Sequence, residues 1–253
     1  MVAGCQHFLH RRGRSEDGGL AAAEKALSLD PTLAKAHAIK GRHLAQLGCY
    51  DEALAAHEES LLLEPDSFDV QFSFGLTCMK FGRHEAAIEH LERAAQLLED
   101  DCWALTLVAP SYKALGRHDE FRSAARRALE RIEREIALRP DNADALASGC
   151  IALAYLGEKE RAIEWASRAL IIEPDDALDR FNLAAAFAQM GEPDQALDLL
   201  ESCLRKAPPD DLAWITQDPD LLPLHDHPRY QALIAREEAR LAAARAEQVN
   251  KAG

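Results

Sequence analysis

The feature that most constrains this chain is a recurrence of glycines. Gly48, Gly82, Gly116, Gly157 and Gly191 step along the sequence by 34, 34, 41 and 34 residues. Each closes one apolar segment and precedes a second. The second segments carry small residues in one phase (Ala53, Ala87, Ala162, Ala196), and most end at a proline such as Pro65, Pro174 or Pro208. Local physics gives each marker a job. Glycine permits the left-handed backbone that ends a helix before a tight turn. A small residue lets two helices approach closely, and proline stops the second helix. The repeating unit is therefore a helix–turn–helix pair. One such pair cannot bury its own apolar face, so successive pairs must stack into an all-α solenoid with capped ends.

This reading divides the chain into a degenerate half-repeat over 1–33, repeats over 34–67, 68–101, 102–142, 143–176 and 177–210, and a C-terminal cap and helix over 211–253. The third repeat is long, because its closing Pro140 arrives late. The delay is close to two helical turns, so Leu129, Ile132 and Ile136 stay on one face. The spacing predicts a long second helix from about Glu120 to Leu138. Pro110 falls inside a first helix and is expected to remove a hydrogen bond and kink it. At the N-terminus, His7, His10, Arg11, Arg12 and Arg14 form a basic segment. Ser15-Glu16-Asp17 then offers a cap for a helix over Leu20–Leu29. Either a worn cap begins the array or Met1 opens a piece of something longer. Beyond Pro208-Pro209, Trp214, Leu221, Leu224, Tyr230 and Leu233 are expected to seal the last repeat. The helix from Tyr230 to Gln248 is expected to fray beyond about Arg240.

Charge and cysteine usage narrow the function. The net charge is −14 with a pI near 5.2, which argues against nucleic acid, a surface that needs clustered cations, and against an anionic membrane. No apolar run reaches the ~18–20 residues of a membrane span. Val2-Ala3-Gly4-Cys5 looks like the end of a lipoprotein cleavage site, but the apolar stretch that should precede it is missing. The six cysteines (Cys5, Cys49, Cys78, Cys102, Cys150, Cys203) form no CxxC pair. They read as reduced, mostly buried thiols of a cytoplasmic protein.

Taken together, these repeats resemble the tetratricopeptide family over about Leu20 to Asp210. The run Ala128–Arg134, the two repeats after it, and Trp214…Asp218-Pro219-Asp220-Leu221…Leu224…Pro228-Arg229-Tyr230 carry a narrower likeness. They resemble the C-terminal tetratricopeptide region of bacterial class III adenylate/guanylate cyclases and of some serine/threonine kinases. No Gly-rich phosphate loop, kinase lysine context or cyclase carboxylate pattern is present, so no enzyme and no cofactor is expected here. The family resemblance implies a right-handed superhelix whose first helices line a concave groove for a protein or peptide partner. Mapped onto this sequence, the groove is offered by Lys35, Arg42, Phe72, Leu76, Met79, Trp103, Leu107, Ile151, Tyr155, Phe181 and Asn182, with Lys80, Lys113 and Gln189 beside them. The apolar members could equally pack against neighbouring helices, and the cations could equally be a solvated face. Ala38 and Arg42 replace the first Lys and Asn of the family's carboxylate clamp, which disfavours chaperone tails. An exposed half-repeat at the N-terminal end also allows self-association.

Three other patterns carry a blander reading. His225-Asp226-His227 has the spacing of a zinc pair, but no further ligand lies at convenient spacing, so no metal is expected. Asp100-Asp101, Asp175-Asp176 and Asp210-Asp211 sit between repeats, where they would cap helix N-termini. Arg122, Arg126, Arg127, Arg131 and Arg134 interleave with Glu130, Glu133 and Glu135, which reads as a salt-linked exposed helix face.

Overall fold

The computed structural model describes residues 16–99, 101–205, 211–216 and 218–252. The basic segment His7–Arg14, Cys5, Ser15, Asp100, Pro208 and Asp210 lie outside the described residues, as does the side chain of Trp214. All regular structure among the described residues is helical. In order the helices are α1 Glu16–Leu29, α2 Ala34–Gln46, α3 Tyr50–Leu63, α4 Phe68–Lys80, α5 His84–Leu97, α6 Trp103–Ala114 and α7 His118–Leu138. Then come α8 Ala143–Leu156, α9 Lys159–Ile172, α10 Ala177–Gln189, α11 Pro193–Leu204, α12 Asp211–Thr216, a 3-10 helix Pro219–Leu224, and α13 Pro228–Ala252. The chain forms two compact units, Met1–Arg131 and Ile132–Gly253.

Each turn between paired helices is built the same way. Gly157 sits at φ +77°, its amide donates to Ala154 O (3.1 Å), and the Glu158 amide donates to Leu153 O (2.9 Å). This double closure needs a left-handed residue at the helix end. Gly48, Gly82, Gly116 and Gly191 also have positive φ, between 67° and 77°, and repeat the two bonds. At the opposite ends, side chains cap the first helices of several pairs. Asn142 Oδ1 accepts from Ala145 N (3.1 Å). Asp176 Oδ1 accepts from Leu178 N and Asp179 N (2.8 and 2.9 Å), and Asp101 Oδ2 accepts from Ala104 N (2.9 Å). The inter-repeat acids at 101 and 176 are thus helix caps.

In the first unit, α1 packs on α2, the pairs α2/α3 and α4/α5 pack internally, and the first helices α2, α4 and α6 touch in sequence. The core is made largely of small and aromatic residues. One cluster joins Ala34, Ala38 and Val70, and another joins Phe74, Cys78 and Ala87. His57, wholly buried, stacks on Phe74 (4.9 Å, 8°), which stacks on His90 (4.3 Å, 20°). His57 Nε2 meets Thr77 Oγ1 at 2.8 Å, while its Nδ1 has no partner.

The arginines near the end of this unit depart from expectation. Arg127 makes a two-pronged pair with Glu92 on α5 (both 2.9 Å), and Glu92 also accepts from the Tyr112 hydroxyl (3.1 Å). Arg131 donates to the carbonyls of Ala95, Leu98 and Asp101 (3.0, 3.4 and 2.6 Å). Both therefore reach back to the preceding pair, Arg127 to a carboxylate on its second helix and Arg131 to the carbonyls at and just beyond that helix's C-terminal end.

In the second unit, α8/α9 and α10/α11 are the pairs, with α8 against α10. Leucines dominate: Leu146, Leu153, Leu183, Leu197 and Leu200 are fully buried. The 3-10 helix packs on α10, and α13 packs on α11 and α12. The last helix runs past Arg240 to Ala252. Its Glu237, almost fully buried, is held by Arg236 and Arg240, and Arg236 also bonds Glu201 of α11 at 2.9 Å. Pro228 opens this helix at a position where its missing amide costs nothing.

Candidate functional site

The side chains singled out from the sequence fall into two groups. In the first unit the neighbouring first helices α4 and α6 present Leu76, Trp103 and Leu107 half-buried, with Pro110 beside them, while Met79, also half-buried, packs against the cluster of Phe74, Cys78 and Ala87. Arg42 on α2 is half-buried, while Lys80 and Lys113 are exposed. The Lys113 ammonium lies 5.8 Å from the centre of the Phe121 ring. Lys35 pairs with Asp69, the residue one repeat later, at 2.5 Å. Phe72 differs from its neighbours. It is buried and stacks on Phe68 (5.2 Å, 20°), so it belongs to the packing.

In the second unit every residue mapped to the groove is buried: Ile151, Tyr155, Phe181 and Asn182. Part of the cause is visible in the chain itself. Asp218 Oδ1 accepts from Asp220 N (2.9 Å) and starts the 3-10 helix. Asp220 then accepts the Tyr155 hydroxyl proton on its carboxylate and the Gln189 side-chain amide proton on its carbonyl, the latter at 2.8 Å. One residue thus touches the C-terminal ends of two successive first helices. The 3-10 helix therefore lies across that row, with Leu221 and Leu224 fully buried and Leu222 exposed. Burial, then the Asp220 charge, holds the Tyr155 phenol well above its ordinary value.

A second polar feature of this unit was not read from the sequence. Asp179 on α10 is 1% exposed, and its carboxyl is pushed up to about 8 by burial, then by the neighbouring carboxylates Asp144 and Asp176. Neither of its oxygens meets a donor while both acids are ionised, so a proton shared with Asp144 is the arrangement that burial favours. The Asn182 side-chain amide, buried on the same helix, has no acceptor. Only an acidic residue next to an N-cap marks this spot in the sequence, and that pattern is common on solvated helices.

The remaining sequence candidates have structural places. His225 stacks on Tyr230 (5.1 Å, 20°), and His227 Nδ1 accepts from Arg229 N (3.2 Å) at the start of α13. Among the described residues no group of three or more His, Cys, Asp or Glu is placed to hold a metal ion. Cys78, Cys102, Cys150 and Cys203 are buried and Cys49 is half-buried. Burial pushes the Cys78 thiol up to about 11. Among the described residues no helix is long and apolar enough to cross a membrane.

Comparisons with known proteins agree with this architecture. Residues 68–100 and residues 179–217 each match a family model described as a tetratricopeptide repeat. Among solved structures, the chain is similar to TTC0263, a thermophilic tetratricopeptide protein of Thermus thermophilus. Identity is 22%, the match covers 82% of this chain and 100% of that one, and the TM-score is 0.50. It is also similar to YrrB, described as a tetratricopeptide protein with an unusual peptide-binding site, at 17% identity, over 78% of this chain and 98% of that one, with a TM-score of 0.45. A third similarity is to MamA, at 23% identity, over 66% and 93% of the two chains, with a TM-score of 0.41. A comparison with curated proteins finds no match. The fold is an all-α solenoid carrying tetratricopeptide repeats.

Proposed function

We propose that this protein is a non-catalytic interaction scaffold that holds a peptide or helix of a partner protein along the first helices of its first unit. One observation carries the reading. Leu76, Trp103 and Leu107 stay half-open on two adjoining helices beside Arg42, Lys80 and Lys113, whereas the second-unit residues mapped to the groove, Ile151, Tyr155, Phe181 and Asn182, are buried. A half-open apolar strip with charged edges is the surface that peptide recognition uses. The test is capture of partners from the source cell's lysate by the wild-type chain beside a Leu76→Ser, Trp103→Ala, Leu107→Ser variant. These positions are chosen because Phe72 and Tyr155 are packed, so changing them would confound binding with stability. Partners retained by wild type and lost by a variant with unchanged circular dichroism support the reading. Identical captures by both remove it.

Three finer readings follow from single features. The buried free thiols of Cys78 and Cys150 fit a reducing compartment such as the cytoplasm. The C-terminal segment from Asp218 to Tyr230 favours a role beside a bacterial cyclase or kinase, and such an enzyme among the captured proteins would support it. Self-association through the N-terminal end rests on the exposed Leu29 and Leu33. Light scattering that shows a monomer at all concentrations removes it.

A further inference from the structure

The scaffold reading leaves the partner's chemistry open, and the second unit contains a template for it. There the chain's own segment Asp218–Leu224 already lies across two first helices. Its Asp220 is gripped by the Tyr155 hydroxyl from α8 and the Gln189 amide from α10. Leu221 and Leu224, one helical turn apart, are the side chains it buries most completely, while Leu222 between them points outward at 58% exposure. What this face accepts is therefore a short acidic turn with two leucines on one side.

Repeat position carries the template to the first unit. Tyr155 and Gln189 hold the thirteenth places of the frames that begin at 143 and 177. The frame that begins at 68 puts Lys80 in the thirteenth place, and the frame that begins at 102 puts Lys113 in the twelfth. Both lysines are exposed, and both follow the half-buried strip of Leu76, Met79, Trp103 and Leu107 along α4 and α6. Where the second unit meets a carboxylate with a neutral hydroxyl and amide, the first has two ammonium groups. On a chain of net charge −14, an acidic segment is repelled over most of the surface and admitted where cations gather.

We propose that α4 and α6 hold an acidic turn of a partner protein with the pattern Asp-Leu-x-x-Leu. The carboxylate lies on Lys80 and Lys113, and the leucines lie on Leu76, Trp103 and Leu107. This rests on the scaffold reading and adds the partner's chemistry to it.

The test is fluorescence anisotropy of a labelled synthetic peptide copying residues 216–227, titrated with the full chain. Binding should saturate and weaken with added salt. It should fall about tenfold or more when Lys80→Glu and Lys113→Glu are combined, or when the peptide's copy of Asp220 becomes Asn. Circular dichroism of the lysine variant keeps folding out of the comparison. Absence of saturable binding overturns the proposal, as does binding that ignores both charge changes. A peptide with every Asp replaced by Asn that binds equally well, yet is lost in Leu76→Ser with Leu107→Ser, overturns the acidic partner while leaving the scaffold reading standing.

Discussion

At the scale of single residues, three glycines inside first helices matter because a side chain would have no room. A Cβ on Gly149 would fall 2.3 Å from Trp165 Cζ3, one on Gly75 2.6 Å from Leu91 Cγ, and one on Gly41 2.7 Å from His57. Alanine is the better helix former by about 1 kcal/mol, so the sign of Gly149→Ala depends on whether the indole can move. It is hemmed in by Ile132, whose Cγ2 lies 3.1 Å from the same Cβ position. Gly149→Ala is therefore expected to lose about 1–3 kcal/mol in denaturant melts, with part recovered by adding Trp165→Leu. A variant more stable than wild type would refute the slot. His57, filling the slot at Gly41, makes a pH prediction. Burial, then the charges of His90 and Arg42, lowers it to about 3. Between its ordinary value near 6.5 and about 3, the unfolded chain takes up a proton that the folded chain refuses. Stability is thus unpenalised above 6.5 and declines as pH falls, by up to about 1.4 kcal/mol per pH unit. Melts at pH 7 and pH 4.5 should show a shallower decline for His57→Leu than for wild type, and parallel declines would exclude the histidine as the cause.

At the scale of elements, the 3-10 helix across α8 and α10 is held at one corner by Asp220. Tyr155→Phe removes a hydroxyl donor and leaves a mostly buried carboxylate short of a partner, a loss of about 1–3 kcal/mol. Its mark should be local: faster amide exchange in Asp218–Leu224, with α5 unaffected. Uniform change, or none, would show that Leu221 and Leu224 alone seat the segment. The contrast between what was legible in the sequence and what was not is clear at this scale. Turn glycines and capping aspartates could be read because each acts on backbone within a few residues of itself. The contact of Tyr155 with Asp220 spans 65 residues and has no periodic mark, so the segment looked like a seal on the last repeat alone and its grip on the repeat before went unseen. Arg127 and Arg131 were misplaced for a related reason. Glutamates three and four residues away are visible partners in a sequence, whereas Glu92 and the bare carbonyls of α5 lie 30–36 residues back. The apolar groove was half-legible. Its positions follow from the repeat frame, but whether Phe72 or Leu76 faces a neighbour depends on packing that the frame leaves open.

At the scale of the whole molecule, the two units bury different material. Among the largest fully buried side chains, Leu91 and Leu105 lie in the first unit, while Leu146, Leu153, Leu183, Leu197 and several others lie in the second. At roughly 1.5–3 kcal/mol for each fully buried aliphatic side chain, the second unit holds the larger apolar contribution. Hydrogen exchange should therefore find the slowest amides in α8 and α10 and the earliest exchange in α1 to α3. Equal protection of the two units would contradict this. The glycine slots bear on the array's history as well as its stability. In three pairs a bulky residue on the second helix is matched to a glycine on the first helix of its own pair: His57 to Gly41, Leu91 to Gly75, Trp165 to Gly149. The third pair has alanine at both places, Ala109 and Ala125, each fully buried. A recombination that cut at the glycine turn would seat an indole against a methyl, or a methyl against an empty slot. One that cut at the proline between pairs would carry both halves together. Where a slot is present, exchange of whole pairs keeps the match and exchange of single helices breaks it, so the matched couple rather than the helix is the unit that can be swapped.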